Sequence, residues 1–117
     1  MNITKNNIED KLVNNNVDLL SINSIQLITF IMEEIELLSH LKGNEKKSLV
    51  ISLLHEFINN DDNIFIKGNN PNIIITLTNL LDSNIVLDII DTIVACASGT
   101  LKINDKIKAS CFCFSKK

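Results

Sequence analysis

Two long segments carry apolar residues at helical spacing, and only three residues, Lys42-Gly43-Asn44, join them. The first segment covers residues 24–41 and the second residues 45–58. In both, apolar positions recur every three or four residues, which is the period of an amphipathic helix. Ser24 and Asn44 are suitable N-caps, and Gly43 suits the left-handed end of the first helix. Because the connection is so short, the pattern predicts an antiparallel helical hairpin.

Two further helices follow. Pro71 favours the first position of a helix over residues 71–82, although the β-branched Ile73-Ile74-Ile75 leaves a strand as the alternative. Ser83 is expected to cap another helix that ends at Gly99. The inward face of that helix is expected to consist of Val86, Ile89, Ile90, Ile93, Val94 and Ala97. The chain is therefore predicted to be all-α, a small antiparallel bundle of about four helices.

The two ends of the chain are less regular. Residues 1–23 contain a short amphipathic stretch followed by three asparagines, which predicts a short helix or a mobile arm. Residues 100–117 alternate apolar and polar residues around Asn104-Asp105, which is typical of a short β-hairpin or a tail. We therefore divide the chain into a weakly ordered segment 1–23, a helical domain 24–99 and a C-terminal tail 100–117.

The apolar arc of the helix at residues 24–41 is wider than a surface helix requires. Either this helix lies at the centre of the domain, or part of its face contacts another subunit. The second possibility leads to the main hypothesis, a non-enzymatic protein–protein interaction or structural module that self-associates or binds another protein. The residues expected to carry this interaction are Leu27, Phe30, Leu37 and Leu41.

Composition excludes several classes of function. The chain has 117 residues, a net charge of −3 and no arginine, which argues against nucleic-acid binding. No run of about 18 apolar residues predicts a membrane span. The three cysteines lack the spacing of a disulfide scaffold, and no secretory signal begins the chain, so an intracellular location is expected. No cofactor or small-molecule substrate is predicted.

The C-terminal tail suggests a second function. Residues 101–117 hold five lysines against one aspartate, a net charge of +4, whereas the rest of the chain is acidic. Cysteines that can be acylated, phenylalanines and lysines together favour attachment to an anionic membrane surface. The alternative is a packed terminal strand with buried thiols. The residues proposed for membrane attachment are Cys111, Phe112, Cys113, Phe114, Lys116 and Lys117.

A metal site is the third hypothesis. Glu33, Glu36 and His40 share one side of the first long helix, and His55 lies on the second. Carboxylates and imidazoles on paired helices can bind a metal, but the usual glutamate followed three residues later by histidine is absent. A solvated polar stripe explains the same residues. No phosphate loop, nucleophile elbow or His-Glu-x-x-His motif occurs, so the chain is not expected to be an enzyme.

Three stretches resemble small helical proteins of large nucleocytoplasmic DNA viruses. They are residues 31–36, residues 41–51 with the pattern Gly-x-Glu-Lys-Lys-x-x-Val, and residues 89–94 followed by Gly99. The abundance of Asn, Ile and Lys is consistent with such an A/T-rich genome. The resemblance implies a small helical protein of the host cytoplasm or the virion. Since that family has no known catalytic motif, no functional residue follows from it.

Overall fold

The computed structural model of the protein describes residues 3–38, 41–60, 64–67 and 70–97. All regular secondary structure in these ranges is helical, which confirms the all-α prediction for them. The predicted hairpin or tail at residues 100–117 lies outside the described residues. The helices are α1 (Lys5–Asn14), α2 (Ser24–Glu36), α3 (Gly43–Asn59), α4 (Ile64–Lys67), α5 (Pro71–Asp82) and α6 (Val86–Ala97).

The first residue of α2 is Ser24, and its N-cap is Asn23. The Asn23 side chain accepts a hydrogen bond from the Gln26 backbone N–H at 2.8 Å, and the Asn23 N–H donates to Gln26 Oε1 at 3.0 Å. This reciprocal pair satisfies two of the backbone N–H groups at the helix start. The predicted cap at Ser24 is therefore wrong by one residue, because the Asn–Gln pair forms a more complete cap.

The corner between α2 and α3 also differs from the prediction. The N–H of Leu38 donates to the carbonyl of Ile35 at 2.8 Å, a three-residue hydrogen bond that tightens the last turn of α2. Gly43 is the buried first residue of α3, not the end of α2. Lys42 is the N-cap in place of Asn44, since its N–H donates to Glu45 Oε1 at 2.7 Å. The predicted roles of Gly43 and Asn44 are wrong.

Pro71 begins α5 as predicted, and the three isoleucines that follow it are helical. Ser83 caps the carboxyl end of α5, because its hydroxyl and its N–H both donate to the carbonyl of Asn79. It does not cap α6, so that prediction is wrong. Asn84 follows with a left-handed backbone, φ 60°, which Asn tolerates better than most residues. This turn directs the chain into α6.

α1 belongs to the hydrophobic core. Its Ile8 and Leu12 are fully buried, so of the two alternatives for residues 1–23, the structure shows a packed helix. The core consequently extends across the predicted boundary at residue 24. The fully buried residues of largest volume are Phe57, Phe65, Ile8, Leu12, Leu27, Ile28, Ile31, Met32, Ile35, Leu53 and Leu54.

α2 lies at the centre of the fold, in contact with α3, α5 and α6. Its wide apolar arc is used mainly inside the subunit, which favours the first of the two explanations given for it. Ion pairs tie α3 to its neighbours: Lys46 Nζ lies 2.8 Å from Glu36 Oε1 of α2, and Lys47 Nζ lies 3.0 Å from Asp91 Oδ1 of α6.

Candidate functional site

The structure separates the four residues predicted for self-association. Leu27 is fully buried in the core, where no partner reaches it. Phe30 and Leu41 are half-buried and pack against that core. Leu37, just beyond the end of α2, is 73% exposed. These four residues therefore do not form one exposed face.

The three described residues of the metal hypothesis, Glu33, Glu36 and His55, do not form a metal site either. Glu33 and His55 are exposed, and Glu36 pairs with Lys46. No group of three or more His, Cys, Asp or Glu side chains within the described ranges could hold a metal ion. His40 lies outside the described residues. The same is true of the residues proposed for membrane attachment (Cys111, Phe112, Cys113, Phe114, Lys116 and Lys117).

Two surface depressions flank α6. The first lies between α3 and α6, and we call it the α3–α6 groove. It has a volume of about 330 Å³. Leu87, on its edge, is 45% exposed because it points away from the buried face formed by Val86, Ile90 and Ile93. The described residues that line the groove include no acidic residue and no lysine. They are Ile51, His55, Leu81, Asn84, Val86 and Leu87.

On the other side of α6 lies a longer depression, which we call the acidic furrow. One part, about 400 Å³, lies between residues 16–22 and α2. The other part, about 290 Å³, lies between α2 and α6. Ile25 lines both parts, so the two are adjacent. The apolar residues that line the furrow are Val17, Ile22, Ile25, Phe30, Ile85, Ile89 and Ile93.

Side-chain hydrogen bonds hold the loop that forms one wall of the furrow. Asn70, which precedes α5, donates from Nδ2 to the carbonyl of Leu19 at 2.7 Å and to that of Ile22 at 3.4 Å. Within the loop, the Leu20 N–H donates to Asp18 Oδ1 at 3.1 Å. Because the two hydrogen bonds of Asn70 link residues about fifty positions apart, they hold the loop against the helical body.

The furrow carries charge of one sign. Asp18, Glu33 and Asp88 line it, and no described lining residue is basic. Three carboxylates beside an apolar floor attract a ligand that combines positive charge with apolar side chains. The α3–α6 groove, whose described lining holds neither Asp, Glu nor Lys, lacks this preference. The two sides of α6 thus differ in the partners they suit.

Sequence reasoning missed two exposed apolar residues at the start of α6. Ile85, which precedes α6, and Leu87, in its first turn, do not belong to the predicted inward face of that helix. Apolar residues at positions outside the predicted inward face were the sequence signal that could have identified these exposed side chains.

No single described helix is long and apolar enough to cross a membrane. α5 and residues 86–95 meet that test only as a pair, with a bend of 101° between them.

Searches for related proteins returned no match among known protein families, curated proteins or solved structures.

Proposed function

We propose that this protein is a non-enzymatic interaction module that self-associates through the α3–α6 groove. The observation that carries this proposal is the half-exposed Leu87 at the edge of a groove without Asp, Glu or Lys among its described lining residues. The proposal includes an antiparallel bundle for the subunit. The contacts between α2 and α3, together with their short connection, support that arrangement.

A second copy of the chain is the occupant that best suits this groove. In a two-fold dimer each copy presents the same patch, so Leu87 of one copy can enter the groove of the other. An apolar residue that enters a groove whose described lining holds no Asp, Glu or Lys does not bury an unpaired carboxylate or ammonium group. A groove lined by carboxylates or lysines would instead favour a partner of opposite charge.

The expected association is weak. Burying a whole leucine side chain contributes about 1.5–3 kcal/mol, and Leu87 is already half-buried, so each copy gains about 1 kcal/mol from it. Flanking contacts from Ile51 and Leu81 add to this gain. Interfaces that bury less than about 1,200 Å² are generally transient. We therefore expect a dissociation constant in the micromolar range or weaker.

Sedimentation equilibrium on the full chain tests this proposal. With reductant present to prevent thiol cross-linking, the mass should rise with concentration from 13.1 kDa towards that of a dimer. Leu87→Lys should keep the chain monomeric, because it places a charge in the interface. Ile75→Lys is the matched control, since Ile75 is 58% exposed on α5 and lies outside the groove. Equal association of both variants would refute the proposed surface.

The variant Leu37→Lys separates this surface from the one predicted from sequence. If Leu37 carries self-association, its substitution will abolish the dimer and that of Leu87 will not. Membrane attachment through the C-terminal cysteines and phenylalanines, metal binding and a viral origin stay predictions from sequence.

A further inference from the structure

We infer that the acidic furrow binds the chain's own C-terminal segment, residues 101–117, in the same molecule. This interaction goes beyond the proposed self-association, because it uses the opposite side of α6. Three observations carry it: the charge of the furrow, the composition of the segment, and the point at which the chain leaves α6.

Charge complementarity identifies the occupant. The described lining of the furrow holds three carboxylates, on Asp18, Glu33 and Asp88, and no basic side chain. Residues 101–117 carry a net charge of +4, whereas residues 1–100, with 13 acidic and 6 basic residues, carry a net charge of −7. The basic segment is therefore covalently attached to an acidic body, and opposite charges steer and orient contacts between two such parts.

The apolar content of the segment matches the floor of the furrow. The segment contains Leu101, Ile103, Ile107, Phe112 and Phe114 in addition to its lysines. The floor includes Ile25, Ile89 and Ile93. Burial of apolar surface supplies affinity, while the charges select and orient the ligand. A basic segment without apolar residues would lack the affinity that burial of apolar surface supplies.

Chain connectivity favours binding within one molecule. Ile93 lines the furrow, and α6 ends at Ala97, about 6 Å further along the helix axis. The 20 residues from 98 to 117 could span up to about 66 Å when extended, more than the 35 Å longest dimension of the described structure. A tethered segment reaches effective concentrations in the millimolar range, above those of a second copy in dilute solution.

A paramagnetic label on the segment tests this contact in the full chain. With Cys96→Ala and Cys113→Ser, a nitroxide can be attached to Cys111 alone, and the reduced nitroxide provides the reference spectrum. We expect the amide signals of Ile25, Asp88 and Thr92 to lose most of their intensity, while those of His55 and Leu81 lose much less. The loss should persist on dilution.

Charge reversal supplies the matched control. Asp88→Lys should restore the intensities along the furrow, whereas Asp82→Lys, the same change at an exposed position of α5 outside the furrow, should not. For the chain with its native cysteines, high salt should shift the amide signals of the same furrow residues, because salt screens exposed charges. This second measurement keeps the inference testable if the cysteine substitutions prevent folding.

Each other outcome overturns the inference. Mixing isotope-labelled chain without nitroxide and unlabelled chain with nitroxide detects contact between molecules. If the furrow signals lose intensity in that mixture, and if the loss disappears on dilution, the occupant is the C-terminal segment of a second copy. If the amide signals lose intensity uniformly, or if the furrow residues lose none, the segment does not bind the furrow, and a different partner must be its ligand. Since these signals report contact within one molecule, they are independent of the dimer test on Leu87.

Discussion

Glu9→Gln is the substitution that tests the anchoring of α1 most sharply. Glu9 Oε2 accepts hydrogen bonds from Lys5 Nζ at 2.9 Å and from the Ile64 backbone N–H at 3.1 Å. The Lys5 N–H in turn donates to Glu56 Oε1 at 2.9 Å. One carboxylate therefore joins α1 to the start of α4, and a second joins α1 to α3.

The cost of this substitution follows from burial. The side chains of Lys5 and Glu9 are 8% and 13% exposed, so the glutamine variant leaves a largely buried ammonium without its counter-charge. Breaking a fully buried pair costs about 3–5 kcal/mol. Because both groups keep some contact with solvent, and Lys5 Nζ keeps a hydrogen bond to Asn6 Oδ1, we expect a loss of about 2 kcal/mol.

Urea denaturation followed by far-ultraviolet circular dichroism measures this loss. A domain of this size is stabilised by about 6–17 kcal/mol, so about 2 kcal/mol moves the midpoint clearly. Asp10→Asn is the matched control, since Asp10 is an exposed neighbour on α1 and loses the same charge. A Glu9→Gln midpoint equal to that of the control would refute the anchoring of α1 through Glu9.

Two further predictions concern the helix caps and the core. Asn23→Ala should lower the free energy of unfolding by about 1 kcal/mol, and Ser24→Ala should have little effect, because Asn23 supplies the cap of α2; paired urea titrations distinguish the two. Phe65→Ala should cost about 3–5 kcal/mol, since Phe65 is fully buried with its ring centroid 5.5 Å from that of Phe57. Thermal unfolding measures this loss, and a change below about 1 kcal/mol would contradict the burial of α4.

The local spacing of apolar residues and the position of proline were sufficient to predict much of the helical structure. The spacing of Leu49, Val50, Leu53, Leu54 and Phe57 predicted the buried face of α3. Leu49 is partly buried, and the other four are fully buried. Pro71 predicted the start of α5. Both signals act within a few turns of helix, where periodicity and backbone preference determine the outcome.

The features that sequence reasoning missed depend on distant residues. Glu9 contacts Ile64 across 55 positions, and Asn70 contacts Leu19 across 51, so no local pattern contains these contacts. The furrow likewise combines the loop at residues 16–22 with α2 and α6. At the helix starts, several polar residues compete for one cap, and side-chain geometry decides between Asn23 and Ser24.

The mass of the unmodified full chain as a function of concentration, in the presence of reductant, tests the proposed self-association most directly. We predict that sedimentation equilibrium will give 13.1 kDa at low concentration and a rising average mass at high concentration. A constant mass of one chain at every concentration would contradict the proposal.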